Sequence, residues 1–258
     1  MKRLILKKTV SVEGADYFGR PSFIEFSPTD RQGWYWQPRP GSTLLPITAK
    51  LASDKPRRLV LVDGSERLEV WEHVGSLRFL GLDGIVVRAS THLPYFGRPH
   101  ELWQQLKPWC EPDGSNLPWH KIADVGYQKN GNSHVQICPG NSGLKIEVDI
   151  DYAGLGSKCL CFRLPDDDLE QIFKAHTIIY PIWLYWPARL WLHRDKVNWP
   201  QNMAIDDLLA EVARHRLGDL LGALSLSVHT GLPAGRVYSY RAGHKLDLDL
   251  VKSLRFTE

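Results

Sequence analysis

Arg67-Leu68-Glu69-Val70-Trp71-Glu72-His73-Val74-Gly75-Ser76-Leu77-Arg78-Phe79-Leu80-Gly81-Leu82-Asp83-Gly84-Ile85-Val86-Val87-Arg88-Ala89 is the stretch on which the fold turns. Arg67 to Val70 is a short β-prone run. From Glu72 the period changes. Val74, Leu77 and Leu80 recur at helical spacing, which predicts a helix over Glu72–Leu80. Gly81 and Gly84 stand where a helix stops, and Ile85–Ala89 reads as a strand. Strand, helix and strand follow in quick succession, with an acid and a histidine at the first junction.

Outward from this stretch the same alternation continues. Phe23–Phe26 and Leu59–Val62 are β-prone runs bounded by turn residues. Trp34 and Trp36 alternate at strand spacing and are expected to pack one face. Pro99–Leu106 reads as a second helix. Lys107–Pro118 carries Pro108, Pro112, Gly114, Ser115, Asn116 and Pro118, the composition of a linker. It sets the expected boundary between a first domain, 1–110, and a second, 111–258. Beyond it, Ser133–Cys138, Leu144–Asp151 and Lys158–Leu164 read as strands. Leu169–Ala175 follows as a helix, with Asp166, Asp167 and Asp168 favouring its positive end. Ile205–Leu226 is the longest helical pattern, Val237–Tyr240 a short strand, and Leu248–Leu254 a final helix. Strands then a helix, twice, predict an α+β protein of two similar layered units.

The bulk properties are ordinary. The chain has 258 residues, 43% hydrophobic and 24% charged, enough to bury a core in one large or two small domains. A formal charge of +3 is too small to argue for nucleic acid and is compatible with an anionic substrate. No run approaches the roughly 18 apolar residues of a membrane helix. Leu4-Ile5-Leu6 is too short for a signal-peptide core. The four cysteines form no C-x-x-C pair. Cys159 and Cys161 are expected to share one face as buried small hydrophobes, and few, scattered thiols fit a reducing cytoplasm. Arg57-Arg58 reads as a solvated turn. His92, His100, His120, His134, His193 and His229 read as surface or core residues.

His215 and Asp219 are four apart within the long helix, so they lie on one face a turn apart. A histidine and a carboxylate so placed can clamp a zinc ion, with a third ligand from elsewhere and an open fourth position. His73 is the natural third ligand and Glu72, beside it, a natural base. His244 could then protonate a leaving amine. Among ten histidines such a pair also arises in ordinary structural use.

Three motifs in order weight the choice. Val70-Trp71-Glu72-His73, with Phe79 to Val87, resembles the T-V-E-H-L segment and the L-A-G-L-G-I-D-N turn of the UDP-3-O-acyl-N-acetylglucosamine deacetylases. His215-Arg216, Asp219, Gly222 and Leu224 are similar, in register, to that family's H-K-x-L-D-x-x-G-D-L. Ala242-Gly243-His244-Lys245-Leu246-Asp247 resembles its S-G-H-A-L-N. Gly14–Gly19, Lys145–Asp151 and Phe173–Thr177 add weaker matches, so the likeness spans nearly the whole chain. It implies two β-α-α-β domains packed together with a metal cleft between them. It implies zinc on His73, His215 and Asp219, Glu72 as general base and His244 as general acid. It places Thr177 near the oxyanion and Arg216 at the family's lysine. The reaction implied is removal of an acyl group from a 2-amido sugar, perhaps nucleotide-linked as in lipid A synthesis. Iron or cobalt suits the same donors.

The chain departs from the pattern at several points. Arg216 replaces a lysine, a fork instead of a point charge. Ala223 stands where the family has a second aspartate, the carboxylate that supports the catalytic histidine. The early histidine gives way near Asp16, and Leu93–Pro99 lacks the family's aspartate. The family's hydrophobic insert is shorter here and spans Ile178–Trp191, with three tryptophans and two tyrosines. Substrate pocket, core packing, or a partner or peripheral membrane surface all suit such a segment. These departures keep open a deacetylase of another N-acyl substrate and a non-catalytic relative that binds a sugar or a partner.

Overall fold

Alternation of apolar and polar side chains builds most of this molecule. The computed structural model describes residues 1–16, 18–55, 58–94, 99–140, 143–152, 156–175 and 204–257. Along β3 (Pro21–Pro28), Ile24 and Phe26 point inward. Along β14 (Leu144–Tyr152), Leu144, Ile146, Val148 and Ile150 are buried between outward Lys145, Glu147, Asp149 and Asp151. That period of two fixes which face of each sheet meets the core.

Among the described residues the chain is α+β, with five α-helices and sheets in four groups. A five-stranded sheet runs β2 (Val10–Ala15), β3, β9 (Ile85–Ala89), β4 (Trp34–Trp36), β5 (Leu45–Pro46), with β4 and β9 parallel. A three-stranded sheet joins β6 (Ala52–Lys55), β7 (Arg58–Asp63) and β8 (Glu66–Glu69). The second large sheet runs β12 (Gly126–Asn130), β13 (Ser133–Pro139), β16 (Leu232–Tyr240), β14, β15 (Gly156–Leu164). Strand β11 (Trp119–Lys121) also pairs with β16. The helices are α1 (Trp71–Gly75), α2 (Pro99–Leu106), α3 (Leu169–Phe173), α4 (Ile205–Leu224) and α5 (His244–Ser253). From Leu208 onward α4 is buried on nearly every side, which suits a helix apolar around most of its circumference.

Several elements differ from expectation. The Glu72–Leu80 helix is a five-residue α1 followed by a 3-10 turn over Ser76–Leu80. Val74, Leu77 and Leu80 recur every three residues, the period of the tighter helix. Lys107–Pro118 is not an open linker. It makes a 3-10 turn and then β10 (Cys110–Asn116), antiparallel to β1 (Lys2–Leu6). The register shifts between Lys2 and Leu4, so Pro112 and Gly114 sit in an irregular two-stranded ribbon that tolerates them. Strand β16 begins at Leu232, five residues before the predicted start. Its Gly235 lets β13 approach: a Cβ there would lie 2.8 Å from the Cys138 carbonyl oxygen. Cys159 and Cys161 do share one face, but it is the solvent face of edge strand β15. Arg58 is not a solvated turn; it starts β7, with Nε 3.1 Å from buried Glu69.

Candidate active site

The turn into α1 is sharp. Val70 caps this helix with φ 62° and ψ 42°, a left-handed conformation rare for a β-branched residue. Such strain persists only where surrounding structure imposes it. Here it turns the chain from β8 into a helix that presents Glu72 and His73 at once. The reason α1 can meet α4 is Gly222, one turn beyond Gly218. A Cβ at Gly222 would stand 2.1 Å from the Glu72 carbonyl oxygen and 2.4 Å from its Cα. Nothing larger than hydrogen fits. Trp71 Nε1 donates to Ser225 Oγ at 3.1 Å, and that hydroxyl donates to the Gly222 carbonyl at 2.6 Å. Arg78, fully buried, closes the same junction by donating to the carbonyls of Ser225, Val228 and His229 at the end of α4. Burial lowers its pKa to about 10, so it stays charged at neutral pH.

This contact brings the three expected ligands together. The donor atoms of His73, His215 and Asp219 all lie within 4.8 Å of one another. His215 Nε2 is 3.6 Å from Asp219 Oδ2, and His73 Nε2 is 4.0 Å from Asp219 Oδ1. The two imidazoles meet edge-on, with centroids 5.7 Å apart. Zinc bonds of about 2.0–2.2 Å in a tetrahedron place neighbouring donors roughly 3.4 Å apart, so these side chains would have to draw together to hold an ion. Protonation also fits. Burial, then the nearby His215, lowers His73 to about 4, so it is neutral as a ligand must be. Burial alone would raise Asp219, but His215, His244 and His73 hold its carboxyl below the usual range.

Glu72 and His244 flank these donors. Glu72 Oε2 accepts the Leu59 N–H at 2.9 Å, which ties the acid to β7. Its Oε1 lies 3.9 Å from His244 Nε2, and that nitrogen is also 3.9 Å from Asp219 Oδ2. Burial dominates at Glu72 and pushes its pKa up to about 7. That is a useful value for a base that must accept and return a proton near neutrality. His244 moves the other way. Burial opposes its charge, but Asp219, Glu72 and Asp247 raise its proton affinity. His244 is the first residue of α5, four residues before the predicted helix begins; Gly243 caps it in extended backbone.

Arg216 does not face Asp219 as a free cation. It is buried, with Nη2 2.5 Å from Asp247 Oδ1 and 3.2 Å from Ser239 Oγ. A cavity of 580 Å³ opens beside these groups, bordered by Asp219 and His244 and by Lys55, Arg216, Arg241 and Lys245. Thr177, His176 and the aromatic run 178–191 lie outside the described residues. Arg78 carried no sequence signal of its own, and Asp247 closed the Ala242–Asp247 motif without a role assigned to it. The nearest signal of one was its place three residues after His244. Set against known proteins, the chain matches no protein-family model and no curated protein.

Proposed function

We propose that this protein is a zinc-dependent amide hydrolase that removes an acyl group from an N-acylated amino sugar. The observation that carries the reading is the convergence of His73, His215 and Asp219 with a carboxylate and an imidazole beside them. Zinc, when bound, supplies a Lewis acid that polarises a carbonyl oxygen and makes water more acidic. Iron(II) suits the same donors. Glu72 Oε1 takes the proton of the attacking water, while the Leu59 N–H holds its other oxygen. His244 Nε2 gives a proton to the departing amine nitrogen. The burial of Glu72 keeps bulk solvent from levelling its proton affinity.

An anionic leaving moiety, as in a nucleotide-linked sugar, would meet Lys55, Arg241 and Lys245 at the cavity rim, beside Asp54. The proposed architecture is that of the resembling deacetylases, two β-α-α-β halves with the metal cleft between them. Thr177 takes the oxyanion role and Arg216 a supporting one in this reading, which also places the chain in the cytoplasm. Among the described residues no helix is long and apolar enough to cross a membrane.

The test has two parts. Metal content is measured by mass spectrometry on protein purified without chelators, beside His73→Ala. The zinc-loaded protein is then assayed for release of acetate from UDP-3-O-acyl-N-acetylglucosamine and from simpler N-acetyl sugars. About one ion per chain is expected, lost in His73→Ala. Glu72→Gln should keep the ion and lower kcat roughly 10²–10⁴-fold. Unchanged turnover in Glu72→Gln would sink the mechanism, and absence of metal after reconstitution would sink the ligand assignment.

A further inference from the structure

Behind His244 lies a knot of buried polar atoms that have no hydrogen-bond partners among the described residues: Arg216 Nε and Nη1, Asp247 Oδ2, and His244 Nδ1. Interiors leave few such atoms, and four in one place call for a reason. Asp247 is wholly buried in the first turn of α5, three residues after His244, so the two side chains share a helix face. Arg216 holds one of its oxygens, Oδ1, at 2.5 Å. The other, Oδ2, makes no hydrogen bond among the described residues, alone among their buried carboxylate oxygens.

The chemistry of His244 asks for such an oxygen. To donate from Nε2, the imidazole must carry its remaining hydrogen on Nδ1. A buried N–H needs an acceptor. The other carboxylates near His244, Glu72 and Asp219, lie on the Nε2 side. Position 223, one turn beyond Asp219 on α4, is a fully buried alanine and offers nothing.

We propose that Asp247 is the positioning residue of His244: its Oδ2 accepts the Nδ1–H hydrogen bond, on side-chain rotation or through one water, and so aims Nε2 at the leaving nitrogen. This rests on the amide-hydrolase reading. The proton that leaves does so from Nε2 and the one on Nδ1 stays; burial raises the proton affinity of Asp247, and the Arg216 guanidinium on Oδ1 opposes that rise. The pair Arg216–Asp247 then serves to fix the carboxylate, with Nη2 of the guanidinium committed to Asp247 Oδ1 and Ser239 Oγ.

The test uses the zinc-loaded full chain with ¹⁵N-labelled histidine. A slowly exchanging Nδ1–H resonance, assigned to His244 by its loss in His244→Gln, is expected in the parent. Asp247→Asn can still accept from Arg216 through its amide oxygen, but turns an NH₂ toward Nδ1 and favours the opposite tautomer. The resonance should vanish in that variant, and kcat should fall about 10–100-fold with KM within about twofold. A parent spectrum without the resonance overturns the proposal, and decides alone should the variant not fold. So does a variant that keeps the resonance, or keeps kcat. Absence of any amide substrate would instead count against the hydrolase reading, because the spectrum still reports on Asp247.

Discussion

At the scale of the residue, Gly222 sets the geometry of the site. A methyl group there would collide with the Glu72 backbone and could not be relieved by a side-chain rotation. Gly222→Ala should therefore destabilise the protein by about 1–3 kcal/mol, the usual cost of overpacking, although alanine is the better helix former. Urea unfolding measures the loss, and a stable variant with normal metal content would show that the contact is not needed. The same scale shows what could be read in advance. His215 and Asp219 were legible because helical spacing is a local rule, and Glu72-His73 because the two are adjacent. The Arg216–Asp247 pair was not, because it joins positions 31 residues apart on two helices whose packing no spacing reveals. Motif likeness even pointed away from it, since it drew attention to the alanine at 223.

At the scale of the element, α4 depends on a cation from another segment. The helix's own last carbonyls are met by the backbone and hydroxyls that follow, but the turn beyond its end is held by Arg78, which donates to the carbonyls of Ser225, Val228 and His229. Arg78→Met keeps most of the apolar stem and removes the donors. It should cost about 3 kcal/mol, with chemical unfolding as the measure and metal binding weakened in parallel. A change below about 0.5 kcal/mol would mean water replaces the guanidinium at no loss. Elements read from pattern fared unevenly for physical reasons. The strands Ile85–Ala89 and Leu144–Tyr152 stood out because one face, or both, is apolar. The ribbon of β1 and β10 was hidden because its exposed strands carry proline and glycine, residues that punctuate most chains. The early start of α5 was hidden because Gly243, which opens it, looks like a loop residue.

At the scale of the whole molecule, the donors come from two distant segments. Any ion on them binds the folded state and stabilises it. At a free concentration 1,000 times Kd the gain is about 4 kcal/mol, which in a chain of this size is on the order of 10 °C in Tm. Chelation should lower Tm by that order, and zinc should restore it; an unchanged melt would argue that no ion is held. The indole of Trp71 reaches Ser225 across 154 positions of sequence. Contacts of such separation close late, because a long loop must lose its freedom before they form. During synthesis, which proceeds from the N-terminus, the segment bearing Glu72 and His73 exists well before α4 is made. The nascent chain thus carries two of the five side chains of the proposed site, and the other three join them only when the last helices dock.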